Sequence, residues 1–191
     1  MNIAVQRAPT PKQIPSLWLN VVLFQVGWFG CVLGAAKGWP WLGVAVALVI
    51  VAFHLMRAAN LVTELTLVTI TLVIGALADS LLLQTGWIAY PSGMLMDGVA
   101  PPWILALWLL FATTLNVSMR WLKQRAWLAV VLGAICGPLS YWGASRLGAV
   151  QFADPLPLVL ALTVTWALIM PLLMRLSMRY DGIAPQTAVA E

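Results

Sequence analysis

Six long apolar segments follow one another along the chain, and this succession constrains the fold more than any other feature. The segments cover residues 17–36, 40–56, 61–84, 101–119, 126–147 and 155–178. At about 1.5 Å of rise per residue, each can cross a hydrocarbon core about 30 Å thick as a helix, the second only just. Because a helix satisfies its own backbone in lipid, the sequence predicts an all-α, polytopic membrane bundle of about six transmembrane helices.

The shortage of charged side chains agrees with a lipid environment. Hydrophobic residues make up 62% of the chain and charged residues only 8%, whereas a soluble domain has about 25% charged residues. The basic residues stand singly, which excludes a nucleic-acid partner. With 2 cysteines, 1 histidine and no phosphate-binding loop, we expect neither a metal site nor a cofactor. The partner that the composition predicts is the lipid bilayer.

Basic residues indicate the orientation of the segments, because cytoplasmic loops carry an excess of Lys and Arg. One side of the predicted bundle holds Arg7, Lys12, Arg57, Arg120, Lys123, Arg125, Arg175 and Arg179, and the other side holds only Lys37 and Arg146. We therefore predict that both termini are cytoplasmic. The domain organisation is then a cytoplasmic segment at 1–16, a six-helix transmembrane domain at 17–178 and a disordered cytoplasmic tail at 179–191.

Small residues recur at spacings of three or four in two of the segments. Gly27, Gly30 and Gly34 lie in the first segment, and Gly133 and Gly137 lie in the fifth. Such stripes let helix backbones approach closely in a membrane, where no hydrophobic force drives helices together. We interpret these glycines as helix-packing positions within the bundle. The alternative is a docking face for a partner subunit or for a second copy of the chain.

A carboxyl group deep in the third segment is the first candidate for a functional site. Asp79 lies about 12 Å inside the outer boundary, where a charge costs at least about 2.5–3.5 kcal/mol. The fifth segment carries Pro138, Ser140, Tyr141 and Arg146 in its outer half. We interpret Asp79, Ser140, Tyr141 and Arg146 as the lining of one outward-facing cavity, with Tyr141 or Arg146 as the partner of Asp79, and Pro138 as a structural kink. The alternatives are a structural hydrogen bond to Asp79 from a serine, tyrosine or indole N–H, and a proline kink that only improves packing.

The turn between the second and third segments has a structural interpretation. Asn60 is a natural N-cap for the third helix, and Glu64 lies in its first turn, where the helix dipole favours a negative charge. Arg57 can pair with Glu64 across the turn. We expect these three residues to brace the turn.

Four further polar residues are candidates for binding a ligand. Asn20, His54 and Asn116 lie at a similar depth near the cytoplasmic side, where they can form a polar inner pocket, and Gln25 lies deeper in the first segment. We expect Gln25 to line the core of the bundle.

Short stretches in three segments carry a family resemblance: Leu17-Trp18-Leu19-Asn20 with Gln25-Val26-Gly27-Trp28-Phe29, the Pro102-Trp103 pair, and Gly137-Pro138-Leu139-Ser140-Tyr141 with Leu147-Gly148-Ala149. Together they resemble an uncharacterised family of small bacterial inner-membrane proteins, a domain of unknown function, over residues 17–178. The resemblance implies a bacterial source, the inner membrane as location and no established activity. The association of such proteins with genes that modify unsaturated fatty acids suggests a lipid-related role.

Three function classes fit these features. The first is a membrane protein that binds or transports a small apolar or lipid-like ligand. For this class, the chain is also similar to the substrate-binding subunits of energy-coupling-factor vitamin transporters. Those subunits contact a partner subunit through a stripe of small residues on their first helix. The second is an integral-membrane enzyme acting on a lipid or isoprenoid, with Asp79 as general acid or base. The third is a non-catalytic membrane partner of lipid-modifying enzymes. The scarcity of polar residues argues against the enzyme, and we favour the first class.

Overall fold

A computed structural model describes residues 16–183 and shows a bundle of six α-helices. The helices are α1 (Leu17–Ala36), α2 (Pro40–Met56), α3 (Leu61–Gln84), α4 (Pro102–Leu115), α5 (Ala126–Arg146) and α6 (Pro155–Arg179). A single turn of 3-10 helix covers Arg120–Leu122, and two short strands, β1 (Ile88–Ala89) and β2 (Gln151–Phe152), form an antiparallel pair. The prediction of an all-α fold is confirmed for the described residues.

Four of the six helices are long and apolar enough to cross a membrane. These are α1, α3, α5 and α6, whereas α2 and α4 are shorter apolar helices of 17 and 14 residues. The predicted fourth segment extended to residue 119, but α4 ends at Leu115. The chain leaves the helix there because the Asn116 side chain bonds Glu64, and because the Met119 amide closes a turn on the Thr114 carbonyl at 2.9 Å.

Helix α4 lies at the centre of the bundle. It packs against α1, α2 and α3 and also touches α6. Most of its residues are buried, including Trp103, Trp108 and Leu110. Because other helices surround α4, a helix only about 21 Å long does not expose its polar ends directly to lipid.

Glycines bring α1 and α2 together backbone to backbone. A Cβ at Gly43 would lie 2.6 Å from the Gly30 carbonyl oxygen and would also collide with the Cα atom of Cys31. A Cβ at Gly34 would lie 2.9 Å from the Trp39 carbonyl oxygen. These short distances show that the small residues of α1 already face a neighbour within the chain.

The other predicted packing glycines also face neighbouring helices. A Cβ at Gly27 would lie 2.5 Å from a methyl group of Leu110 in α4. A Cβ at Gly133 or Gly137 would collide with Trp166 of α6. These contacts correspond to packing within the bundle, the first of the two interpretations drawn from the sequence.

The two ends of the bundle differ in construction. At one end, which we call the ribbon end, the connection after α3 pairs with the connection after α5: Ile88 lies opposite Phe152, and the Ala153 amide donates to the Trp87 carbonyl at 2.9 Å. At the other end, which we call the Glu64 end, lie the turn between α2 and α3 and residues 116–125. The ribbon ties the α5–α6 hairpin to α3 at one end, and α5 packs mainly on α6.

We predict that Gly43→Ala destabilises the protein much more than Gly30→Ala in the same interface. The new methyl at position 43 meets the backbone of α1, so the two helices must separate, at a cost of about 1–3 kcal/mol. The methyl at position 30 meets a Val46 methyl at 3.5 Å, an ordinary contact. Unfolding of the purified protein in mild detergent measures both changes, and equal effects would contradict the backbone contact.

Candidate functional site

The Asp79 carboxyl group is the most heavily bonded acceptor at the ribbon end. Asp79 lies in α3 and is 1% exposed. Its Oδ1 atom accepts a hydrogen bond from the Tyr141 hydroxyl at 2.5 Å and another from the Tyr90 hydroxyl at 3.1 Å. Its Oδ2 atom accepts a hydrogen bond from Trp108 Nε1 at 2.6 Å. One side chain therefore joins α3, α4, α5 and the loop that follows β1.

The local sequence makes room for this arrangement. Gly75 lies one helical turn before Asp79, and a Cβ there would overlap the indole ring of Trp108. The Trp108 ring also stacks on Trp166 of α6, with centroids 5.0 Å apart and an interplanar angle of 8°. Gly137 in turn accommodates Trp166. Two glycines therefore let two large indoles form a stacked wall next to the carboxyl group.

Tyr141 is one of the two partners that the sequence suggested for Asp79, and the structure selects it. Arg146, the other suggested partner, is exposed at the end of α5 and does not bond Asp79. Tyr90 and Trp108 are a tyrosine and an indole donor of the kind expected in the structural alternative for Asp79, but the sequence did not indicate which tyrosine or tryptophan. The available signal was the position of Trp108 inside a central apolar helix, because a buried indole N–H needs an acceptor.

A cavity of about 440 Å³ lies on the other side of this wall. Its lining comes from α1, α4, α5 and α6, and it is mostly apolar and aromatic, with Phe24, Leu107 and Trp166 among its walls. Two of its wall residues on α5, Cys136 and Leu139, are exposed on the outside of the bundle. The cavity therefore opens sideways at the gap between α1 and α5.

The polar groups of the cavity are few, and all of them are uncharged amide, hydroxyl or indole groups. Gln25 and Trp28 come from α1, and Ser140 and Tyr141 come from α5. Trp28 Nε1 donates to Ser140 Oγ at 3.1 Å, which bridges the gap between the two helices. Three predicted candidates, Gln25, Ser140 and Tyr141, thus share one cavity, and Asp79 bonds Tyr141 and Trp108 from outside it. Gln25 is exposed on α1, so the prediction that it lines the core of the bundle is wrong.

Pro138 lies inside α5, next to the cavity-lining residues of that helix. Proline has no N–H, so the carbonyl of Ala134 loses its helical partner. The helix continues without interruption to Arg146. Pro138 directly precedes the stretch from Leu139 to Gly143, which borders the gap between α1 and α5.

A second buried carboxyl group organises the Glu64 end. Glu64 is fully buried in the first turn of α3. Its Oε1 atom lies 2.7 Å from His54 Nε2, and its Oε2 atom accepts from Asn116 Nδ2 at 2.7 Å and from the Gly182 amide at 3.0 Å. The carboxyl group joins α2, α3, the end of α4 and the segment after α6.

Ion pairs extend this cluster to the segment that follows α6. Lys123 Nζ donates to Asn116 Oδ1 at 2.6 Å, to the Ser177 carbonyl at 2.9 Å and to Asp181 at 2.8 Å. Arg120 pairs with the same Asp181 carboxylate at 2.9 Å. Burial lowers the pKa of Lys123 from its ordinary value, and the Asp181 carboxylate opposes that shift.

The structure differs here from the disordered tail expected at 179–191. Arg179 still belongs to α6, and residues 180–183 pack against the bundle, with Ile183 buried beside Ala58 and Val117. The Asn60 amide donates to the Gly182 carbonyl at 2.9 Å. Polar groups of the Glu64 end hold this segment, which a composition argument does not detect. The rest of the tail, and most of the segment expected at 1–16, lie outside the described residues.

Two predictions about the α2–α3 turn have different outcomes. Asn60 caps α3, because its Oδ1 atom accepts from the Thr63 amide at 3.0 Å. The predicted pair between Arg57 and Glu64 is wrong, because Glu64 bonds His54 and Asn116. The Arg57 guanidinium instead lies over the Phe53 ring at 5.3 Å from its centroid.

The predicted inner pocket is filled by the protein itself. Asn20 donates to the Thr113 carbonyl at 3.1 Å and accepts from the Ser118 amide at 3.3 Å. Asn20 and His54 border a cavity of only about 10 Å³, which can hold at most about one water molecule. The hydrogen bonds at the Glu64 end indicate that its polar residues hold the helices together and do not line a binding pocket.

Six apolar helices, a central helix shielded by its neighbours and a cavity open to the side fit a membrane-embedded helical protein. A family of proteins of unknown function, DUF2878, matches residues 17–172. The chain belongs to this family, and the resemblance to a family of unknown function is confirmed. No curated protein and no solved structure matches the chain. The similarity to substrate-binding subunits of energy-coupling-factor transporters is not shown.

We predict that Asp79→Asn lowers the free energy of unfolding by about 1–3 kcal/mol, because an amide has one acceptor oxygen and its NH2 group would face the donors of Asp79. Tyr90→Phe is the matched control. It removes only the 3.1 Å bond and leaves the carboxyl group with two donors. Unfolding in mild detergent compares the variants, and a smaller loss for Asp79→Asn than for Tyr90→Phe would contradict the assigned bonding.

We predict that Asp181→Asn destabilises the protein by about 1–3 kcal/mol, because Lys123 is left half-buried without its carboxylate. The exposed Asp97 lies in the loop before α4, and Asp97→Asn is the control of equal charge change. Unfolding at low and high salt measures both variants. Equal effects of the two substitutions would show that the segment after α6 does not brace the bundle.

Proposed function

We propose that this chain is a multi-pass protein of the bacterial inner membrane that binds or transports a small apolar or lipid-like ligand in the cavity between α1, α4 and α5. The observation that carries the proposal is the cavity itself. Its volume of about 440 Å³ lies within the range of about 300–1,000 Å³ that is typical of small-molecule sites. Its walls are mostly apolar, and its polar groups are few and convergent.

The orientation that we propose has all six helices crossing the membrane and both termini in the cytoplasm. The Glu64 end carries Arg57, Arg120, Lys123 and Arg125, and such an excess of basic residues is typical of the cytoplasmic side. The ribbon end then faces outward. In this orientation the gap between α1 and α5 opens toward the hydrocarbon of the bilayer.

The sideways opening supports a ligand that arrives from the lipid phase. Exposed wall residues such as Leu139 border the gap, so an apolar molecule can enter without passing through water. The Trp28–Ser140 hydrogen bond is a single link across the gap. Its rupture costs only about 0.5–1.5 kcal/mol, so it does not bar entry.

A second candidate function, an enzyme acting on a lipid or isoprenoid, is favoured by one observation. Tyr141 lines the cavity and donates to Asp79, so a proton can pass between the cavity and a carboxyl group. Mass analysis of the bound molecule separates the two functions. A ligand recovered unchanged after prolonged incubation favours binding or transport, and a converted product that disappears with Tyr141→Phe favours the enzyme.

We predict that Gly143→Leu abolishes ligand retention. A Cβ at position 143 meets the Trp28 ring at 3.7 Å, an ordinary contact, so the rest of the leucine side chain occupies the cavity without disturbing the backbone. Ala52→Leu is the matched control, because Ala52 is exposed on α2 away from the cavity. Native mass spectrometry in mild detergent, with extraction of the bound molecule, measures retention.

The expected result is one enriched small apolar molecule in the wild type and in Ala52→Leu, and none in Gly143→Leu. Size-exclusion chromatography checks that both variants fold. Retention by Gly143→Leu would show that the molecule binds elsewhere. If a stoichiometric protein co-purifies and no small molecule does, the chain is a membrane partner subunit and the binding proposal is wrong.

A further inference from the structure

A second, smaller cavity adjoins the main cavity along α5. The second cavity has a volume of about 110 Å³, and it shares five wall residues with the first: Phe111, Met119, Cys136, Gly137 and Trp166. Its remaining walls include Leu132 on α5 and Trp121 at the Glu64 end. We call these two adjoining cavities, which extend from the level of Gly143 toward the Glu64 end, the cleft.

Among the described residues, hydroxyl and amide groups border the first cavity but not the second. The Gln25 amide borders the first cavity and bonds no other described residue. The Ser140 hydroxyl accepts from Trp28, which leaves its own hydrogen free to donate. Apart from indoles and the Cys136 thiol, the second cavity has apolar walls. The cleft therefore matches a molecule with one polar end and one apolar end.

Charge is absent from the described lining of both cavities. No Lys, Arg, His, Asp or Glu borders either of them. A charged head group at this depth would have no counter-ion, and burying an unpaired charge is costly. Behind the wall lies Asp79, a carboxyl group, which is a poor neighbour for a phosphate or a carboxylate.

We infer that the ligand is an uncharged, single-chain amphiphile, such as a long-chain alcohol, with its polar group between Gln25 and Ser140 and its chain running along α5 past Gly137 to Leu132. This inference rests on the proposed function of the cavity. The distance along α5 from Ser140 to Leu132 is about 12 Å, so the two cavities together are elongated in the direction of an extended chain. Gly133 and Gly137 border this path, and Trp166 of α6 packs against both glycines along it.

Photo-crosslinking tests the orientation of the ligand's alkyl chain in the cleft. Two tetradecanol probes, one with a diazirine next to the hydroxyl and one with it at the chain end, are added to the full chain in phosphatidylcholine nanodiscs. Peptide mapping should place the first crosslink near Trp28 or Gly143 and the second near Leu132 or Trp121. The same crosslinks for both probes, or the reverse order, would overturn the orientation.

Competition tests the uncharged head group. Unlabelled tetradecanol should displace the probe at concentrations at least about tenfold lower than tetradecyl phosphate or tetradecyltrimethylammonium, because the cleft offers no counter-ion. Equal competition by all three compounds would overturn the inference about charge but would leave the cavity as an apolar binding site. Absence of crosslinks from either probe to any cavity residue would overturn the proposed function itself.

Two variants test the polar group and the alkyl chain of the ligand separately. Gln25→Leu should weaken tetradecanol about fivefold and should leave competition by tetradecane unchanged, because it removes a hydrogen-bonding group and keeps the Trp28–Ser140 bond. Leu132→Phe fills the second cavity and should abolish the chain-end crosslink, whereas Val130→Phe, an exposed position on the same helix, should not. Equal effects of the two phenylalanine variants would show that the chain does not reach the second cavity.

Discussion

Two carboxyl groups buried on one helix impose the arrangement of the whole bundle. Glu64 and Asp79 lie about 22 Å apart along α3, and each is almost completely enclosed. A buried carboxyl group without hydrogen bonds is costly in an apolar environment. Each of the two therefore accepts hydrogen bonds from several other elements. Asp79 joins α4, α5 and the loop after β1, and Glu64 joins α2, the end of α4 and the segment after α6. Because apolar surfaces gain little from contact with each other in lipid, these directed bonds select one packing among many of similar apolar area.

Glycines and aromatic rings around Asp79 form the wall of the cavity. Trp108 can reach Asp79 only because Gly75 has no side chain, and Trp166 can stack on Trp108 only because Gly137 has none. The α5–α6 hairpin therefore packs on α3 and α4 through the stacked indoles of Trp108 and Trp166. Helix α5 stays apart from α1, with one hydrogen bond between them. Asp79 bonds two residues of the cavity wall, Trp108 and Tyr141, so it stabilises that wall without lining the cavity itself.

The local parts of the fold could be predicted from the sequence, and the tertiary parts could not. The apolar segments at 17–36, 40–56 and 61–84 agree with α1, α2 and α3 at both ends, because hydropathy and the Asn60 cap are local signals. The end of α4 was misplaced because Asn116 leaves the helix to bond Glu64, a residue 52 positions away. Arg57 was paired with Glu64 because sequence distance alone does not show that His54 lies closer. A tyrosine or indole donor to Asp79 could be expected, but not Trp108 and Tyr90 in particular, because the chain has 11 tryptophans and 3 tyrosines and only the fold shows which of them meet the carboxyl group.

The position of Asp79 also bears on the choice between binding and catalysis. A general acid or base must reach the atom that gains or loses the proton, but both oxygens of Asp79 already accept hydrogen bonds from rigid aromatic donors. Tyr141 is the only one of its partners that has both a hydroxyl group and a place in the cavity wall. Any proton chemistry must therefore pass through that hydroxyl, which its hydrogen bond to Asp79 holds in place. A preorganised hydroxyl that is oriented by a buried carboxyl group serves equally to position the polar end of a ligand, and this simpler role needs no movement of the carboxyl group from its three donors.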